Sequence, residues 1–160
     1  NEVNYAPLLG GGETSRRHLP LFIRHLMGGA DGRLPVEAFV GGAGAVLAAQ
    51  ERQRAHARAG HRAHIALADH IVLPDGTVRR LAVRGLVAHC RALLLDATVA
   101  RIILVVQDDE ILRQPLPVDR LTAVFTPEPG AGAPPADDYH PDRLYGLLAA
   151  RLLQLCPTAT

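Results

Sequence analysis

The chain has 160 residues, 48% of them hydrophobic and 21% charged, which suits one domain with a buried core and excludes a disordered chain. Its formal net charge of +1 argues against a dedicated duplex-binding protein and so against nucleic acid as a partner. All 17 basic side chains are arginine, so the absence of lysine excludes Schiff-base chemistry and a P-loop phosphate site.

Proline marks the expected helix starts, because its missing N–H is one that a first helical turn leaves unpaired anyway. A short helix is expected from Pro20 to Met27, ended by Gly28 and Gly29. A longer one is expected from Pro35 to Arg58, since Val36, Phe39, Val40, Ala43, Val46 and Leu47 keep helical spacing. Beyond Gln50 it carries no large apolar residue, so that end is read as solvated or facing a partner. Gly41, Gly42 and Gly44 each cost about 1 kcal/mol against alanine inside a helix. The small residues Gly41, Ala45 and Ala49 therefore suggest a seam for close helix packing, within the fold or across a homodimer.

His64 to Leu73 alternates as a strand, Pro74-Asp75-Gly76 turns, and Thr77 to Arg84 returns. Residues 86–97 read as helix, with strand left open. Arg101 to Gln107 is a buried strand rich in β-branched residues, and Glu110 to Gln114 is a candidate to pair back against it. Leu121 to Phe125 fits either a strand or part of a helix starting at Pro117. Residues 127–141 read as a loop or linker. A last helix runs from Pro141 to about Leu155, with Leu144, Leu147, Leu148, Leu152 and Leu155 as its apolar stripe. The expected fold is a single α+β domain over 1–160, with helices at both ends packed on a small, mainly antiparallel sheet.

Cys90 and Cys156 lie in leucine-rich segments without CxxC spacing, which reads as two reduced, buried thiols in a cytoplasmic protein. His89 beside Cys90 raises a catalytic thiol as the lesser reading. No apolar run reaches the eighteen or so residues that span a bilayer, and no signal-peptide pattern opens the chain. The wealth of alanine, leucine and arginine suits a GC-rich bacterial genome.

His56, His61, His64, His70 and His89 fall close together and invite a metal site. In an extended strand, however, His64 and His70 stand about 20 Å apart, too far for one ion, so no metal is assigned. The hairpin suggests something better. With Leu73 opposite Thr77, one face carries His64, Ala66, Ala68 and His70 beside Arg80, Ala82 and Arg84, a shallow basic surface suited to a phosphate or carboxylate. Asp69 on the other face would be partly buried, with Arg79 as a diagonal partner.

Arg54 and Arg58 lie one helical turn apart just before this hairpin, a spacing that resembles the RxxxR element of PilZ cyclic-dinucleotide receptors. The D/N-x-S-x-x-G motif that the family carries in a following strand is missing here. Asp108 and Asp109, directly after the buried strand, suit an ordinary hairpin turn, or Mg²⁺ binding for phosphoryl chemistry. The favoured function is a non-enzymatic binding module without cofactor, recognising an anionic small molecule or a protein partner. Its site residues are Arg54, Arg58, His64, His70, Arg80 and Arg84, and it is expected to form a homodimer. The alternative is a metal-assisted hydrolase or transferase using the histidines or Asp108 and Asp109.

Overall fold

The computed structural model describes residues 33–126 and 141–156. Strand β1 (Val36–Val40) opens this part of the chain and is followed by helix α1 (Ala43–Arg58), β2 (His64–Ala66), β3 (Ile71–Val72) and β4 (Val78–Arg79). Then come α2 (Leu86–Leu94), β5 (Ile102–Val106), the one-turn α3 (Glu110–Arg113), β6 (Ala123–Phe125) and α4 (Pro141–Leu153).

The expected helix from Pro35 to Arg58 is thus a strand followed by a helix. The break falls at Gly41, whose φ of 138° is open to glycine and strained for other residues. Its N–H donates to the Val106 carbonyl at 3.0 Å, so it closes the strand ladder before the chain turns into α1. Gly41 and Gly42 thus mark the point where β1 gives way to α1, while Gly44 lies in the first turn of α1. The small-residue seam is corrected with it. Gly41 is outside the helix, and Ala45 and Ala49 pack against the sheet.

The six strands form one mixed sheet in the order β4-β3-β2-β5-β1-β6. β5 pairs in parallel with both β2 and β1, and β1 pairs in parallel with β6; only the short β2–β3 and β3–β4 contacts are antiparallel. The mainly antiparallel sheet is therefore overturned. Parallel strands need crossover connections: α1 carries the chain from β1 past one strand position to β2, and α2 lies on the return to β5, which fills that position. The expected helix over Pro20 to Met27 and most of the 127–141 loop lie outside the described residues. Residues 86–94 are helix, and Glu110 opens α3 instead of pairing back.

Helices cover both faces. Ala45, Val46, Ala48 and Ala49 of α1 pack on Phe39, Ile65, Ile103 and Val105. The other face, with Val36, Ala38, Ala66, Ile102, Leu104 and Val106, is covered by α2, α3 and α4 through residues such as Leu86, Leu93, Ile111, Leu148 and Leu152. Both β1 and β5 are buried along their whole length, as expected for strands covered on two sides. β1 leads into a helix on one face and its neighbour β5 into a helix on the other. Their connections diverge at the carboxyl ends, the kind of crevice where open α/β sheets hold ligands.

Candidate functional site

Glu37 is the polar residue out of place in β1. It is 1% exposed on a strand otherwise made of Val, Ala and Phe. Its side chain points to the α1 face, where residues one helical turn apart meet it. Arg52 grips the carboxylate side-on, Nε donating to Oε2 at 2.8 Å and Nη2 to Oε1 at 2.9 Å. His56 Nε2 lies 3.2 Å from both oxygens, and Arg101 Nη1 lies 3.5 Å from Oε1. Burial alone would push the Glu37 carboxyl up; hydrogen bonds and charge from Arg52 and His56 outweigh it and hold the carboxyl below its ordinary value. Phe125 of β6 stacks on Phe39 with ring centroids 4.4 Å apart, and the Arg52 guanidinium lies 5.7 Å from the Phe125 centroid. Of these residues the sequence points only to His56, and that as part of a histidine cluster and not as a partner of Glu37. The available signal was one carboxylate inside an apolar run, with Arg52 and His56 four apart downstream.

Arg54 and Arg58 stand on the outer side of α1 and are exposed. Arg54 borders a groove of about 300 Å³ between α1, through Gln50 and Ala57, and the Pro74-Asp75-Gly76 turn. It also borders, with Glu51 and Arg58, a second and shallower concavity on the helix. Among the described residues neither arginine makes an ion pair. Gln53 fastens helix to hairpin, its Nε2 donating to the carbonyls of Ala63 at 2.9 Å and Leu73 at 3.0 Å.

The continuous hairpin face is corrected. Leu73 and Thr77 do pair at the turn, but the chain reverses once more at residues 67–70, where the Leu67 N–H donates to the His70 carbonyl at 2.9 Å. β3 therefore lies between β2 and β4, and the expected row of His64 and His70 beside Arg80 and Arg84 does not form. His64 is 5% exposed within β2, and its Nδ1 finds no hydrogen-bond partner among the described residues. Desolvation holds its imidazole below the ordinary histidine value. His70 is half-buried and donates its Nδ1–H to the exposed Asp69 carboxylate at 2.7 Å, so Asp69 pairs with its neighbour instead of Arg79. Arg80 and Arg84 are exposed beyond β4.

Asp108 and Asp109 sit at the carboxyl end of β5 and lead into α3, not into a hairpin. Asp108 accepts the Glu110 N–H at 3.0 Å, and Asp109 pairs with Arg113 at 2.6 Å. Glu110 reaches back to the start of α2 and accepts the N–H groups of Leu86 at 2.6 Å and Val87 at 3.1 Å. His89 is turned away from catalytic use of Cys90, with Nδ1 2.6 Å from the Leu67 carbonyl and Nε2 3.1 Å from that of Val83. Among the described residues no group of three or more His, Cys, Asp or Glu side chains is placed to hold a metal ion. Nor, among them, is any helix long and apolar enough to cross a membrane. Compared with family models, curated proteins and solved structures, the chain matches none of them.

Proposed function

We propose that this chain is a non-enzymatic binding module that holds an anionic small molecule in the groove between α1 and the β3–β4 turn. The observation that carries this reading is Arg54: it borders two adjoining concavities and spends its charge on no carboxylate of the described chain. Arg58 follows one turn later on the same side of the helix, so two guanidinium forks are available to one anion. Arg80 and Arg84 supply further exposed cations on the hairpin side, which an acidic partner segment would also find. His70 is the hairpin histidine left accessible to such a ligand, whereas His64 faces inward.

A calorimetric titration with inorganic pyrophosphate tests the reading. Saturable binding is expected, and the double variant Arg54→Ala/Arg58→Ala should bind at least about tenfold more weakly, the loss expected for one charged hydrogen bond or more. Equal affinity in the variant would remove the site. We place the protein in the cytoplasm, where its two free cysteines would stay reduced. Homodimerisation keeps its place in the proposal on a different surface from the seam, since Leu112, Leu147 and Leu153 remain exposed. Light scattering should give twice the 17.1 kDa chain mass, and a monomer mass would withdraw it.

The metal-assisted alternative now rests on one observation, the position of Asp108 and Asp109 at the β1–β5 divergence. Both carboxylates are occupied locally, which is why the binding module is preferred.

A further inference from the structure

We infer a second anion site, distinct from the Arg54 groove: Arg52 and Arg101 bind a small tetrahedral oxyanion such as phosphate, and the buried Glu37, itself held by His56, is the residue that positions them. Three donors converge on one oxygen. Glu37 Oε1 lies 2.9 Å from Arg52 Nη2, 3.2 Å from His56 Nε2 and 3.5 Å from Arg101 Nη1. They come from two separate elements, the α1 helix and the residue just before β5, so only the folded sheet assembles them.

Stability alone is a poor reason for the arrangement. Burying a carboxylate and its cations carries a desolvation cost that their attraction often fails to exceed, and apolar residues of similar volume commonly do as well. What such a network does provide is fixed geometry, as when outer residues orient the groups that touch a ligand. Arg52 is held twice, by the two-point grip on Glu37 and by the Phe125 ring, itself stacked on Phe39. The grip uses the Nε and Nη2 side of the guanidinium, so the end bearing Nη1 keeps its N–H groups for a ligand.

Charge points the same way. Two guanidiniums face one carboxylate, leaving an excess positive charge, and among the described residues neither Arg52 nor Arg101 pairs with another acid. Access is graded: the side chains of Arg52, Arg101 and His56 are 42%, 20% and 10% exposed, above a carboxylate at 2%. An incoming oxyanion would meet Arg52 first and Arg101 second. Arg54 and Arg58 leave α1 on its outer side and take no part.

Site-resolved NMR of the arginine Nε–Hε groups during titration with inorganic phosphate tests this. A saturable shift of the Arg52 and Arg101 signals is expected in the wild type and, unchanged, in Arg54→Ala/Arg58→Ala, which separates this site from the groove. Arg101→Met should weaken binding at least tenfold. Arg52→Met, at the half-exposed member, should do the same should loss of Arg101 prevent folding. Glu37→Gln discriminates position from charge. A carboxylate that merely offset the arginines would, once neutralised, let phosphate bind more tightly, whereas a positioning residue predicts weaker binding. A linear, non-saturating shift, wild-type affinity in both arginine variants, or tighter binding by Glu37→Gln would overturn the inference. So would acetate producing the same saturable shift at the same concentrations, since it would show a carboxylate site.

Discussion

Cys90 has no exposure, and burial pushes its thiol up to about 12, so at neutral pH it carries no nucleophilic thiolate. Native protein treated with a thiol reagent should label Cys156, which is half-buried, and spare Cys90 until denaturant is added; fast double labelling would contradict this burial. His64 makes a pH-dependent prediction. Its folded-state value lies below the ordinary 6.5, so the unfolded chain takes up the proton first. Stability is therefore full above about pH 6.5 and falls as pH drops towards the folded-state value. Denaturant unfolding between about pH 7 and about pH 5 should show this slope, at most about 1.4 kcal/mol per pH unit for one group. His64→Leu should flatten it, and an unchanged slope would assign the effect elsewhere. Glu37 gives the same direction for the opposite reason, since here the fold favours the charged form. Its depressed carboxyl contributes stability that is complete above the ordinary carboxylate value and is lost at lower pH, so acid unfolding should follow its protonation. Arg54 and Arg58 could be picked out before any fold was known, because adjacent turns of one helix are readable from spacing alone. The Glu37 network could not. Its partners lie 15, 19 and 64 positions away, and only the parallel pairing of β1 with β5 brings the last of them close.

Among the elements, α2 shows how one helix start depends on a residue far along the chain. Gly85 has φ 110°, and a Cβ there would come within 2.7 Å of Glu110 Oε1. Glu110 takes the place of a local N-cap, accepting the free Leu86 and Val87 amides where the helix dipole favours negative charge. Gly85→Ala therefore combines backbone strain with displacement of this carboxylate, and should cost about 2–3 kcal/mol in denaturant unfolding. Glu110→Ala, which leaves the backbone alone, should cost about 1–2 kcal/mol. If the two variants were equally mild, the cap would not be acting as described. β5 was legible as a buried strand because its β-branched run has no polar interruption. β1 reads as helix from sequence because Val36, Phe39 and Val40 fit helical spacing as well as a strand, and five residues are too few for periodicity to decide. The glycine pair at 41 and 42 held the answer. The turn at residues 67–70 was hidden for a different reason: Leu67-Ala68-Asp69-His70 contains neither proline nor glycine.

In the molecule as a whole, β1 and β5 form the centre, each with a paired neighbour on both sides, while β4 and β6 are edges of two and three residues. Native-state hydrogen exchange should thus be slowest at Ile103, Leu104 and Val105 and at Ala38, with β4 opening well before global unfolding. Comparable protection at β4 and β5 would contradict this order. The antiparallel expectation came from the one hairpin that sequence can announce, through its Pro-Asp-Gly turn; parallel pairs carry no such marker, since their crossovers are read only as separate helices.

The insertion of β5 between β2 and β1 also has a bearing on how the chain is made. β1, α1 and the β2–β4 ribbon leave the ribosome first, yet β1 and β2 cannot join each other, because the place between them belongs to residues not yet synthesised. At about 5–20 residues per second, the stretch from Arg79 to Val106 takes on the order of a few seconds to emerge. For that interval β1 and the inner side of β2 present unpaired backbone to whatever is nearby. The slot that gives the finished sheet its centre is, during synthesis, an opening to chaperones and to misassembly.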